Sequence, residues 1–373
     1  MLKFCATILL IAAFLTVHSA AFAGQLLYLA SGVDKTVVAY KVHPVTGELT
    51  KKYSIDVPGN PGPMAFSPDH SIIYVAMTKL EGNKAGVATV RRARNGSMKL
   101  VETSTITSRA PYICVDPSGK FLFGAHYGAG EVTVYRIVNG ICTSELLDRK
   151  KTEKTAHCVE VDPSGRFVFV PHTQPNKMYQ FRLDTTTGKL TPNDPPFVDG
   201  PDTEHSYHGP RHYAHHPTLN VAYSSNERGG GITAWKFNPE NGTLSRMQTL
   251  STLPPNYEGT SAAADIRITP DGRFAYVSNR DSTPREKKKD TLAGVRIDAD
   301  TRRMELIGYF PAAHMPRSVC LGLSGRFAYS AGQNTAELYA YRIHAPSGRM
   351  EHFATYKTGG VPIWVMCGEV TEN

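Results

Sequence analysis

Short apolar runs alternate with polar turns along most of the chain, and no long stretch carries the 3.6-residue period of an amphipathic helix. One arrangement returns: a strand-like segment, a turn, then a second strand-like segment. The copies read "FSPDHSIIYV", "VDPSGKFLFG", "VDPSGRFVFV", "HHPTLNVAYS", "ITPDGRFAYV" and "LGLSGRFAYS". Anchored on Pro68, Pro117, Pro163, Pro217, Pro270 and Leu323, each has an aromatic six residues on: Tyr74, Phe123, Phe169, Tyr223, Tyr276 and Tyr329. Tyr28, in "LLYLAS", has the same setting without a turn before it. Successive aromatics are 46, 49, 46, 54, 53 and 53 residues apart, and further strand candidates such as "EVTVYRI" and "GITAWKFNP" fill the intervals. A period of about 50 residues holding four short strands is that of a propeller blade.

The two ends complete the pattern. "VPIWVMC" near the C-terminus resembles the strand before a turn, with nothing after it; "LLYLAS" resembles the strand after a turn, with nothing before it. Joined, they make a seventh blade and leave no open sheet edge in the ring. The sequence therefore predicts an all-β, seven-bladed propeller whose last blade is closed by N- and C-terminal strands, occupying residues 24–373 as one domain.

In such a ring, equivalent positions form circles about the axis. Six residues before each anchor stand Gly62, Pro111, His157, Arg211, Ala264 and Arg317; ten after stand Thr78, Tyr127, Thr173, Glu227, Arg280 and Gln333. The first and last residues of an antiparallel hairpin are neighbours, so both columns open at one channel mouth. The turns mark the opposite end and have a structural part, with Arg166 in solvent. That mouth gathers His157, Arg211, Glu227, Arg280 and Arg317, with His126 and His172 one residue ahead of the second column. A carboxylate beside arginines and a histidine suits acid–base chemistry and stabilisation of an oxyanion.

Composition narrows the reading. The net charge is +8, but the basic residues are dispersed apart from "REKKKD" at 285–290, so the balance points to small anions and not to nucleic acid. "MLKFCATILLIAAFLTVHSAAFAG" has a basic start, a short apolar run and an Ala-Phe-Ala ending, the pattern of a signal peptide over 1–23. An exported protein, periplasmic or secreted and without a membrane span after processing, is expected. Cys114, Cys142, Cys158, Cys320 and Cys367 remain, odd in number and mostly in apolar segments, and read as buried thiols. "EHSYHGPRHYAHHP" holds five histidines but lacks a HExxH or paired-Cys spacing; no metal and no cofactor is expected. Asp265 reads as a structural polar group. Glu160 and Arg267 share a register in different blades, either as an interior ion pair or as solvated positions.

The same residues carry a resemblance. "GPRHYAHHP" followed by "VAYSSNE", and "AADIRITPDGRFAYVSNR", resemble the motifs of the seven-bladed lactonase family, which includes propeller-type 6-phosphogluconolactonases and carboxymuconate-cyclising enzymes. The resemblance covers nearly the whole mature chain. It implies catalytic roles for Glu227, His157 and Arg280 and substrate binding by Arg211, with His212 inside the same motif. Adding the mouth residues, the expected substrate-binding set is Arg211, His212, Arg317, His126 and His172. The implied activity is hydrolysis, or reverse cyclisation, of the lactone of a sugar acid or carboxylated compound. A non-enzymatic propeller that binds a small ligand or protein at its mouth is the alternative.

Overall fold

The fold is known from a computed structural model that describes residues 24–370; the expected signal peptide lies outside the described residues. The described chain is strand and turn, broken by a single 3-10 turn at Glu81–Asn83. Its strands form seven antiparallel meanders of four, here called blades 1 to 7. Blades 1 to 6 span 60–106, 112–151, 160–199, 208–251, 261–311 and 316–357. Blade 7 takes its inner strand, Pro362–Val370, from the C-terminal end and its other three, Gly24–Ser31, Thr36–Val42 and Leu49–Asp56, from the N-terminal end. Leu27 faces Cys367 and Leu29 faces Val365 in that closing ladder, as the incomplete hairpins at the two ends predict. Blades 4 and 5 are also linked at the mouth by one bridge, Arg228 to Ala262.

The turn that defines the repeat is locked by its own side chains. Asp162 accepts backbone N–H bonds from Ser164, Arg166 and Phe167, and Asp116 does the same for Ser118, Lys120 and Phe121. Such Asx turns satisfy backbone donors that the hairpin leaves over. Arg166 is exposed, as expected.

The aromatic of each repeat lies on the second strand and is buried. It reaches the turn between the third and outer strands of the next blade. Tyr74 donates its hydroxyl to Gly140 O, Tyr276 to Gly348 O, Tyr329 to Gly47 O and Tyr28 to Gly96 O. These glycines have φ of 70° to 88°, and a Cβ on Gly47 would meet the Phe327 ring at 2.4 Å. Phe123 and Phe169 occupy the column without a hydroxyl, and Tyr223, whose counterpart turn carries Arg302, keeps a buried hydroxyl with no partner. The aromatic column is thus an inter-blade latch, and the core lies between blades.

Near the mouth the inner strands are irregular. Register shifts fall between Pro61 and Met64, Pro210 and Tyr213, Ala263 and Ile266, and Pro316 and Ser318. These are β-bulges, which re-aim side chains by breaking strict alternation. They enclose Gly62, Arg211 with His212, Ala264 with Asp265, and Arg317. In blade 3 the inner strand is reduced to Glu160–Val161, and His157 precedes it, its N–H held by Pro171 O at 3.0 Å.

Candidate active site

At the mouth predicted to hold the chemistry, a cavity of about 600 Å³ is lined by His157, Glu227 and Arg317 together with Ser108, Arg109, Pro111 and Tyr127. Glu227 is the penultimate residue of the second strand of blade 4, Val221–Arg228, and Arg211 sits in the bulge of the inner strand beside it. Arg211 Nε donates to Glu227 Oε1 at 3.1 Å, and Arg280 Nη2, from blade 5, donates to the same oxygen at 2.7 Å. Glu227 Oε2 takes no hydrogen bond from the described residues. Arg280 is itself steadied by Ala262 O and Ala263 O.

Burial alone would raise the Glu227 carboxyl. Arg211 and Arg280 outweigh it and hold the group below the usual carboxylate range, so it is ionised at neutral pH. Arg317 is pushed down to about 10, first by burial and then by Arg280 and Arg109. The part of that displacement due to Arg280 and Arg109 reflects neighbouring positive charge, which an anion in the cavity would offset. His157 is driven well below its ordinary value by burial, then by Arg211 and His212, and is a neutral imidazole. Its Nδ1 is buried without a partner.

Behind the cavity a further set of groups holds Arg211. Arg211 Nη1 lies 3.1 Å from His212 Nε2, and His212 Nδ1 lies 2.9 Å from Asp265 Oδ1. Asp265 Oδ2 takes bonds from Arg267 Nη2 at 3.1 Å and Val319 N at 2.9 Å. The Asp265 carboxyl, which burial would raise, is held far below its ordinary range by Arg267 and His212. Asp265 is thus a structural polar group, as expected, but its partners were not readable from the sequence. The only signal was a carboxylate within the largely apolar strand Ser261–Ile268. Arg109 was missed as well, because it lies on the loop before the inner strand of blade 2 and outside both columns.

Three expected substrate contacts need correction. His212 has both ring nitrogens engaged, by Arg211 and Asp265, and is nearly fully buried, so it supports Arg211 and does not meet substrate. His126 is fully buried between Ser108 Oγ and Thr133 Oγ1, and His172 between Val170 O and Thr152 Oγ1. Neither lines the cavity. Each stands one residue from the mouth column, and one residue in a strand turns the side chain to the other face. The histidine-rich stretch diverges too: His216 Nε2 bonds Gly272 O, and His215 packs among Phe169, Tyr213 and Phe237. Among the described residues no group of three or more His, Cys, Asp or Glu is placed to hold a metal ion. Arg267 pairs with Asp265 and Glu160 accepts the Tyr112 hydroxyl, so the two are neither ion-paired with each other nor simply solvated, contrary to both expectations for that register.

Comparison with known proteins agrees with this fold. The family model described as "Lactonase, 7-bladed beta-propeller" matches residues 26–367, and the chain belongs to that family. It is 28% identical over 341 residues to a 6-phosphogluconolactonase of Serratia proteamaculans, covering 91% of this chain and 98% of the relative. It is 29% identical over 343 residues to one of Enterobacter sp., covering 92% and 98%. Among solved structures, the periplasmic gluconolactonase PpgL of Pseudomonas aeruginosa superposes with a TM-score of 0.83 at 20% identity, over 93% of this chain and all of that one. A protein from Lactobacillus plantarum gives 0.80 at 21%, again over 93% and 100%. At those identities the structures speak for the fold.

Proposed function

We propose that this chain opens a lactone of a sugar acid or carboxylated compound by addition of water, or closes it in reverse, in the mouth cavity of blades 2 to 6. The observation that carries the reading is one ionised carboxylate, Glu227, clamped on Oε1 by Arg211 and Arg280 at the wall of a cavity that Arg317 and His157 also line. The free Oε2 of Glu227 holds the attacking water. As water adds to the lactone carbonyl, negative charge grows on the carbonyl oxygen and is met by Arg280 and Arg317. The guanidinium charge that kept Glu227 a weak base is then shared with the oxyanion, so Glu227 becomes basic enough to take the water proton. Collapse breaks the ring C–O bond and the proton passes to the departing oxygen, which the neutral His157 receives by hydrogen bond. The excess of guanidinium charge favours anionic lactones over neutral ones. An exported setting belongs to the proposal, supported by the N-terminal pattern and by the name of the Pseudomonas neighbour.

The test is a turnover panel of neutral, carboxylated and phosphorylated lactones with the native chain and Glu227→Gln. Anionic lactones are expected to turn over with the higher kcat/KM, and Glu227→Gln to lower kcat by roughly a hundredfold or more. With Glu227 held low and His157 neutral, kcat/KM should stay level from about pH 5 to 7 and fall only below the ordinary carboxylate range. An undiminished Gln variant, or an acid limb near the ordinary histidine value, would remove the assigned roles. Binding of one compound without turnover of any would support the ligand-binding propeller instead.

A further inference from the structure

Cys320 and Cys367 lie on the inner strands of blades 6 and 7, which belong to different sheets and share no ladder. Their sulfurs are 3.5 Å apart, and no other pair of thiols among the described residues is in hydrogen-bond contact. Cys320 is buried in the apolar seam formed with Leu27, Leu29, Tyr329 and Val365; Cys367 packs against the same seam and is partly exposed. Both are near the strand ends remote from the candidate site: Cys320 faces Tyr329 and Cys367 faces Leu27, whereas Arg317, near the other end of the blade 6 strand, lines the mouth cavity.

We infer that Cys320 and Cys367 are the two halves of a disulfide that ties blade 6 to the closing strand of the ring. A disulfide needs its sulfurs at about 2.05 Å, so the side chains must close roughly 1.5 Å from the contact they already make. The chemistry requires an oxidant, a low-molecular-weight or protein disulfide. The Cys367 thiolate, which solvent can reach, attacks one sulfur of oxidised glutathione and expels one glutathione thiolate. The Cys320 thiolate then displaces the second glutathione from the mixed disulfide. Two protein thiols are oxidised, the glutathione disulfide is reduced to two thiols, and the two protons lost from the cysteines go to the glutathione thiolates. Burial and the neighbouring thiol push the Cys320 thiol well up, which makes the second displacement the slow step.

The sequence could not reveal this pair, because five cysteines in apolar runs suggest no partners. The inference stands apart from the proposed activity and is tested without it. Native protein is equilibrated with oxidised glutathione, acid-quenched, denatured, alkylated and digested, with and without a reductant. The expected result is one cross-linked peptide pair joining Cys320 to Cys367 that reduction abolishes, with Cys114, Cys142 and Cys158 alkylated in both arms. Cys367→Ser should leave no cross-link at Cys320. Full alkylation of Cys320 and Cys367 without reduction, or a cross-link that joins a different pair, overturns the assignment.

Discussion

Hydrogen positions around Arg211 follow from donor counting alone. A guanidinium only donates, so Arg211 Nη1 requires a bare His212 Nε2, and the remaining ring proton on Nδ1 points to Asp265. Burial and then Arg211 push His212 down to about 3, so this tautomer persists across the working pH range. Asp265 and His212 are therefore positioning residues for Arg211, and through it for Glu227. His212→Phe keeps a ring against Tyr112 and Trp364 but removes the acceptor. A lost bond to a charged donor is worth about 1.5–3 kcal/mol, so kcat on a competent lactone should fall roughly ten- to a hundredfold. Steady-state kinetics beside a denaturation curve will check this: kcat equal to the parent's in a folded variant would contradict the positioning role. At this scale the sequence was legible where a residue sits in register. The columns located His157, Arg211, Glu227, Arg280 and Arg317 but misassigned His126 and His172, one residue off and facing inward.

Bulges explain what register could not. Strict alternation puts Arg211 and His212 on opposite faces of their strand, yet the shift between Pro210 and Tyr213 lets them hydrogen-bond to each other. Nothing in "GPRHYAHHP" announces a bulge, because the irregularity is fixed by pairing with the neighbouring strand and by packing on Asp265. The hairpins themselves were readable, since proline, aspartate and glycine at the turn dictate backbone geometry locally. Their aromatic column was readable as a ruler but not as a latch, because its partner glycines lie in the next blade, 66 to 72 residues distant for Tyr74, Tyr276 and Tyr28, with Tyr329 reaching back to Gly47 across the chain.

 Tyr329→Phe keeps the buried ring and removes one hydroxyl bond to Gly47 O. It should lower stability by about 0.5–1.5 kcal/mol, read from denaturant unfolding; an unchanged midpoint would mean that the ring alone makes the latch.

Across the whole molecule, stability depends on pH through a carboxyl that the proposed reaction does not use. Burial raises Glu160 to about 7, against the pull of the Tyr112 hydroxyl and Arg267. Its folded value lies above its unfolded one. The contribution to stability is therefore whole below the unfolded value and is lost as pH rises through the folded value, because only the unfolded chain ionises freely. Glu160→Gln removes that loss and keeps an acceptor for Tyr112. Unfolding free energies should match the parent's near pH 4 and exceed it at pH 8 by on the order of 2–3 kcal/mol; equal values at pH 8 would show that the carboxylate ionises there without penalty.

The closing ladder between Gly24–Ser31 and Pro362–Val370 has a kinetic consequence. Bringing such distant segments together from a flexible chain costs about 5 kcal/mol in loop closure, but six assembled blades would already hold the two ends side by side. Every residue assigned to the cavity precedes Pro362, so the side chains of the site are all synthesised before the strand that seals the ring. A chain halted at that point would carry the complete chemical inventory and still present two raw sheet edges, competent for aggregation before it is competent for its task.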